Sequence, residues 1–356
     1  MRAKQPAGAK PLSGIMARMP SERMMVTGGA GFLGSHFVRF WLEENAGEIL
    51  NLDVLSYAGS LERLRDVEGD SRYRFIREDI TDPTAVRAAI ADFRADLIVH
   101  FAAESHVTRS EQDPDHFRRV NIEGTRTMLE AAAEHGVRRF VHISTDEVYG
   151  PILDGAFKEE DKQEGDRQAT SPYAKSKAVA DDLAQEFDAE MDVVVIRPTN
   201  CFGPWQYPEK AFARWLARAL TDQPILVWGD GLYVRQWLFA EDLAGAIDRV
   251  VEAENPEPVY NVGPRHDPEI SNVALAQWLL EHLGLPSDRL VFTEYDRPDH
   301  DRRYSVDPDR IESLGWKPGD TWDHLARTVD WYRSNTKWWK PLMAEAESIY
   351  ADGSKR

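Results

Sequence analysis

From Arg23 onward the chain alternates short, nearly continuous apolar runs with longer stretches of helical period. Met24-Met25-Val26, Ile49-Leu50-Asn51-Leu52, Tyr73-Arg74-Phe75-Ile76, Leu97-Ile98-Val99-His100, Arg139 to Ile143 and Val193-Val194-Val195-Ile196 read as strands. Between them, residues 31–45, 83–93, 115–135 and 172–190 read as helices. A strand apolar on both sides has no face to offer water. Such strands, spaced by helices, predict βαβ units and an α/β fold built on a doubly wound parallel sheet.

After Arg197 the rhythm breaks, with Pro198, Pro204 and Pro208 close together. Later runs, Ile225 to Trp228 and Val259 to Val262, are irregularly spaced. They predict a smaller mixed α/β region over the carboxyl edge of the sheet, where such sheets bind ligands. The tail from Thr321 reads as helical, and its aromatic residues Trp331, Tyr332, Trp338 and Trp339 read as core. The expected division is a flexible extension over 1–22, a sheet domain over 23–198, and a ligand-binding region with C-terminal helices over 199–356. The first twenty residues carry Arg2, Lys4, Lys10 and Arg18 and no acid, with no long apolar run. They read as a tail, or as a start assigned upstream of Met16, Met19 or Met24.

Chemistry gathers at the predicted strand ends. Gly28, Gly31 and Gly34 follow the first strand and open the first helix, flanking Phe32 and Leu33. Glycines there let backbone N–H groups approach a pyrophosphate at a helix N-terminus. Asp53 ends the second strand, 19 residues after Gly34. A carboxylate at that place accepts both ribose hydroxyls and repels a 2′-phosphate, which favours NAD over NADP in a Rossmann-type fold. Asp79 and Ile80, after the third strand, are placed to meet adenine. Tyr173 and Lys177 are four apart on one helix face, with Ser171 and Pro172 suited to its N-cap and first turn. An ammonium beside a phenol stabilises phenolate, so Tyr173 is a candidate base. Asp146 and Glu147 stand side by side in Ser-Thr-Asp-Glu-Val-Tyr-Gly, straight after an apolar strand. Two acids sharing a desolvated site push their pKa values apart, which suits one acid and one base.

The chain has 356 residues and a net charge of −18, a sign that disfavours nucleic acid and anionic membranes as partners. A single cysteine, Cys201, allows no internal disulfide and points to a reducing, cytoplasmic setting. The histidines form no metal-binding pattern, so no metal is expected.

With these motifs in order, the chain resembles the extended short-chain dehydrogenase/reductases, and within them the nucleotide-sugar 4,6-dehydratases. The resemblance spans about residues 24–340. It rests on FAAESHV (101–107), STDEVYG (144–150), SPYAKSKA (171–178), RPTNCFGPWQYPEK (197–210), VRQW (234–237), YNVG (260–263) and DRPDHDRRY (296–304). It implies NAD as cofactor and dTDP-glucose as substrate, oxidised at C4, dehydrated across C5–C6 and reduced at C6. It implies catalytic roles for Thr145, Asp146, Glu147, Tyr173 and Lys177, with Glu147 the base at C5 and Asp146 the acid at the C6 oxygen. Ala102 and Ala103 join the implied cofactor contacts. Ser105, Asn200, Lys210, Arg235, Asn261, Arg297 and His300 are the implied substrate contacts. A homodimer through helices 115–135 and 172–190 is also implied. Thr108, Cys201-Phe202, Trp228 and Gln236 depart from the family pattern and bear on nucleotide and sugar preference. Two alternatives stay open. One is a UDP-sugar dehydratase, epimerase or decarboxylase on the same fold; the other is a non-catalytic dinucleotide sensor.

Overall fold

The computed structural model describes residues 22–161, 169–294 and 301–351. Its centre is a parallel sheet of seven strands: β1 (Arg23–Thr27), β2 (Glu48–Leu52), β3 (Tyr73–Ile76), β4 (Leu97–His100), β5 (Arg139–Ile143), β6 (Asp192–Pro198) and β10 (Val259–Val262). The spatial order is β10-β6-β5-β4-β1-β2-β3, so the order reverses between β1 and β4. In such sheets the crevice at that reversal is the ligand site. Every residue of β4 and β5 is buried, as an apolar run covered on both faces requires.

Helices Phe32–Glu44 and Ala240–Glu252 cover one face, packing Phe37, Trp41, Leu243 and Ile247 against the sheet. Helices Pro83–Phe93, Thr125–Glu134 and Pro172–Gln185 cover the other, with Val86, Ile90, Met128, Leu129 and Ala184. A second core lies over the carboxyl edge. It joins β7 (Asn200–Phe202), β8 (Ile225–Trp228), β9 (Trp237–Phe239) and β11 (Leu290–Thr293) to helices Ala211–Ala219, Asn272–Leu283 and Thr321–Ser334 through Trp215, Trp237, Leu279 and Tyr332.

Three local expectations change. Val259–Val262 belongs to the large sheet, paired with β6, and not to the smaller region. The stretch 115–135 is not one continuous α-helix: a π-helical turn, Arg119–Gly124, interrupts it. There Gly124 lies so close to Ile80 that a Cβ would fall 2.5 Å from Ile80 Cδ1. The helix from Pro172 stops at Gln185, short of residue 190. Its start is as read: Ser171 Oγ accepts the Ala174 N–H at 3.0 Å, with Pro172 in the first turn.

Candidate active site

A cavity of about 600 Å³ runs along the carboxyl ends of β1 to β6. Gly28 bends the chain at φ +70° where β1 ends, and a Cβ there would lie 2.7 Å from the Ala102 nitrogen. A Cβ on Gly34 would lie 2.3 Å from the Gly28 carbonyl oxygen. Only glycines let the first helix sit this close to the loop. That helix has no side-chain cap, and Gly31, Phe32, Leu33 and Gly34 of its first turn line the cavity. First-turn N–H groups have no partner within a helix, so this end is suited to an anion.

Asp53 ends β2 with both oxygens engaged. Ala30 N–H donates to Oδ2 at 2.9 Å and Leu55 N–H to Oδ1 at 2.8 Å. Burial raises its pKa, while the two N–H bonds and the charge of Arg63 oppose the rise. Two of roughly four acceptor positions on the carboxylate are used, which leaves capacity for a diol. Asp79, Ile80, Ala102, Ala103 and Ser105 line the same cavity. These groups fit a dinucleotide: a glycine cradle, an uncapped helix end and a fixed carboxylate. Arg63 was not singled out from the sequence. It is buried beside this cavity, and its Nη1 donates to the Ala30 carbonyl at 3.0 Å. Burial lowers its pKa to about 10.

The end of β5 carries the second group. Ser144 Oγ donates at 2.6 Å to Asp181, which is also held by Arg197 at 2.7 Å, so the strand end is pinned to the helix bearing Tyr173. Thr145 Oγ1 accepts the Glu147 N–H at 3.3 Å and donates to Asp146 Oδ1 at 3.3 Å. Tyr173 and Thr145 both line the larger cavity. Asp146 is 3 % exposed, and its Oδ2 has no hydrogen-bond partner among the described residues. Burial first, and the adjacent Glu147 second, push its pKa up to about 7; Arg235 opposes this. The Tyr173 phenol is driven upward by burial and by Glu147.

Lys177 is tied to the end of β5. Its ammonium donates to the Ile143 carbonyl at 2.7 Å and lies 3.4 Å from His142 Nε2. Burial lowers its pKa to about 8. It lines the cavity with Tyr173. The i, i+4 spacing puts both residues on one face; the direction of the lysine tip is set by the nearest buried carbonyl.

A smaller cavity of about 420 Å³ meets the first at Glu147, Asn200, Lys210 and Trp237. Lys210 donates to the Ser105 carbonyl at 2.6 Å. Asn200 Oδ1 is buried with no hydrogen-bond partner among the described residues. Arg235 lines this cavity, 4.5 Å from the Tyr304 ring centroid, with Nη2 donating to the Asp301 carbonyl at 2.8 Å. Trp228 is also in the wall. Asn261 is not brought here. It is fully buried, accepts from Tyr149 at 2.8 Å and donates to Phe157 at 3.0 Å, and it lines neither cavity. Its side chain joins two segments of the fold. Arg297 and His300 lie outside the described residues.

The sequence also gave no hint of Tyr350. The C-terminal helix Met343–Ala351 brings it into the wall of the smaller cavity. Its hydroxyl donates to the Glu209 carbonyl at 2.7 Å and lies 3.2 Å from His106 Nε2. Its ring lies 3.8 Å from the Arg214 guanidinium carbon. Glu347, one turn earlier, pairs with Arg214 at 2.8 Å. No helical period in the tail foretells a contact with residues more than a hundred positions away.

Residues 24–263 match the model of the NAD dependent epimerase/dehydratase family. The chain belongs to this family. A probable dTDP-glucose 4,6-dehydratase of Sinorhizobium fredii is 39 % identical over 341 residues, covering 90 % of this chain and 95 % of that one. The dTDP-glucose 4,6-dehydratase of Streptomyces niveus is 41 % identical, covering 93 % and 98 %. The crystal structure of DesIV, a dTDP-glucose 4,6-dehydratase from Streptomyces venezuelae with NAD bound, superposes with a TM-score of 0.85. It is 40 % identical and covers 90 % of this chain and 99 % of its own. Within this NAD-dependent family, the glycine cradle and Asp53 are the groups suited to the dinucleotide.

Proposed function

We propose that this protein converts dTDP-glucose to dTDP-4-keto-6-deoxyglucose as an NAD-dependent 4,6-dehydratase. One observation carries the reading. A carboxyl with its pKa raised to about 7 stands next to a second acid, and both line the cavity that holds the Thr145–Tyr173 pair. An elimination needs a proton donor and a proton acceptor on neighbouring carbons, and Asp146 and Glu147 are such a pair. An epimerase or a decarboxylase has no use for both.

Gly28, Gly31, Gly34 and Asp53 hold NAD, with Asp79, Ile80, Ala102 and Ala103 beside it. When bound, NAD supplies the hydride acceptor for C4 and the hydride donor for C6. Tyr173 removes the proton from O4, and Thr145 hydrogen-bonds that oxygen. The C4 ketone acidifies the neighbouring C5 hydrogen, which Glu147 removes. Asp146 protonates the C6 hydroxyl, and water leaves. Glu147 then returns its proton to C5. Lys210 and Arg235 supply positive charge to the nucleotide diphosphate against an acidic chain, and Asn200 offers its unpartnered oxygen to the same ligand. Arg297 and His300 are proposed contacts of that ligand as well. The protein acts in the cytoplasm as a homodimer through the helices around Thr125–Glu134 and Pro172–Gln185. Val179, an apolar residue 48 % exposed on the second of these helices, supports that face. A monomer by light scattering would refute the dimer.

The test is mass spectrometry of purified protein with NAD and dTDP-glucose. Loss of one water, with no reduced cofactor accumulating, is expected. Unchanged dTDP-glucose alongside dehydrated UDP-glucose would move the nucleotide preference. No change in either would overturn the reading.

A further inference from the structure

The proposed reaction uses one end of the smaller cavity. Glu147 and Asn200 stand where that cavity meets the larger one, so the reacting hexose lies there. The rest of a nucleotide sugar then extends past Lys210 and away from the cofactor. Arg214, Trp215, Leu226, Trp228 and Tyr350 line this cavity and not the larger one. Leu226 and Trp228, two apart on β8, face the same side. Trp215 Nε1 donates to the Leu226 carbonyl at 2.8 Å. The Trp228 and Tyr350 rings meet at 62° with centroids 5.9 Å apart. The Arg214 guanidinium carbon lies 3.8 Å from the Tyr350 ring centroid. Two rings set at a steep angle make a corner: a flat base finds one ring to stack on and the edge of another.

Tyr350 reaches this corner from the C-terminal helix Met343–Ala351. A helix of nine residues is marginal by itself in water, so it holds only by what it touches. Ala346 and Ile349 are buried. Glu347 accepts from Arg214 Nε at 2.9 Å and Nη2 at 2.8 Å, and from Arg218 Nη1 at 3.1 Å. A guanidinium that grips a carboxylate through two nitrogens makes a strong and directional pair. Burial works to raise the Glu347 pKa, yet the two arginines lower it. Glu347 itself lines neither cavity. The Tyr350 hydroxyl donates at 2.7 Å to the carbonyl of Glu209, the residue before Lys210.

We propose that the C-terminal helix is part of the nucleotide-sugar site: Tyr350, beside Trp228, packs against the pyrimidine base, and the Glu347–Arg214 pair is the latch that keeps it there. The inference rests on the dehydratase reading, which sets the hexose at Glu147. Tyr350 then recognises the base, and Glu347 is a positioning residue that never touches the ligand. Docking of the helix and binding of the nucleotide are linked, so each favours the other by the same factor. The phosphates are left to Lys210 and Arg235, because Arg214 is held by Glu347 through two nitrogens.

The test is calorimetric titration of the NAD-loaded full-length protein with dTDP. Tyr350→Ala should weaken dTDP binding roughly 10- to 100-fold, the range of one base–ring contact, with NAD affinity unchanged. Tyr350→Phe, which keeps the ring, should stay within about tenfold of wild type. Glu347→Gln should weaken dTDP binding about fivefold or more, although it changes no atom of the cavity wall. A second measurement needs no variant. In the wild type, dTDP at roughly a hundredfold excess over its Kd should slow carboxypeptidase release of Tyr350 at least about tenfold, and inorganic pyrophosphate should not. Equal dTDP affinity in Tyr350→Ala and wild type, a parallel loss of NAD affinity, or protection by pyrophosphate equal to that by dTDP would overturn the proposal. Tighter dTDP binding in Glu347→Gln would overturn the latch and hand Arg214 to the phosphates. A wild type that binds neither dTDP nor UDP would remove the nucleotide-sugar reading, and this inference with it.

Discussion

Two aspartates, Asp53 and Asp146, stand at the carboxyl ends of strands in one sheet, and burial acts on both. Asp53 is held by two backbone N–H groups and faces the charge of Arg63, so the rise in its pKa is opposed on three sides. Asp146 has Glu147 beside it and one oxygen without a hydrogen-bond partner among the described residues, and its pKa reaches about 7. The same side chain is thus a fixed acceptor of backbone N–H groups in one region and, in the proposed reaction, the proton donor in the other. What differs is the supply of donors. Where the backbone offers N–H groups, the rise in a buried carboxyl's pKa is opposed; where a second acid stands instead, it is reinforced.

The strongest way to break this contrast is at the second acid. Glu147→Gln should lower water loss by about 10²- to 10⁴-fold while C4 oxidation persists. Reduced cofactor absorbance would then build up, with the sugar lighter by two hydrogens and not by a water. Undiminished water loss would remove Glu147 from the proton chemistry. At the other region, Gly34→Ala forces a Cβ to within 2.3 Å of the Gly28 carbonyl. Overpacking costs about 1–3 kcal/mol, or roughly 10- to 100-fold in NAD affinity if it falls on the bound state. Calorimetric titration with NAD checks it, and an unchanged affinity would mean the cradle does not hold the pyrophosphate.

A smaller effect sharpens the comparison through stability. The folded pKa of Asp146 is raised from 3.8 to about 7, so between those values the folded state binds more protons than the unfolded one. Stability then falls as pH rises through that window, and the full penalty is present above about 7. Asp146→Asn should raise the melting temperature by a few degrees at pH 8 and leave it nearly unchanged at pH 4. The same change at Asp53 should lower it at pH 8, because an amide nitrogen would face an N–H donor. Equal responses at the two sites would erase the distinction drawn between them. The smallest effect expected is at Tyr350→Phe, which removes the donor to the Glu209 carbonyl. KM for the nucleotide sugar should rise about three- to tenfold with kcat little altered, in keeping with one lost hydrogen bond.

The cofactor half was the more legible of the two. Its strands are nearly continuous apolar runs, and its glycines and Asp53 are close in sequence. The second half is less legible in the sequence. The run Val259 to Val262 looks like any buried strand, and nothing in four residues says which sheet it joins. The helices Ala211–Ala219, Ala240–Glu252 and Asn272–Leu283 lie in this half, where strands are short and irregularly spaced. Asn261 resembled a ligand contact by its motif, yet Tyr149 and Phe157 engage its side chain.

The sequence by itself determined the parallel sheet, the glycine cradle and the presence of Asp146, Glu147, Tyr173 and Lys177 at the strand ends. Those features follow from local periodicity and from steric limits within a few residues. Only the tertiary structure decided which way Lys177 points, that the second oxygen of Asp146 is buried with no hydrogen-bond partner among the described residues, and that the C-terminal helix brings Tyr350 to the smaller cavity. Each of these depends on packing between segments far apart in the chain. Burial and the nearest unpaired donor or acceptor select the geometry there, and neither is written in local spacing.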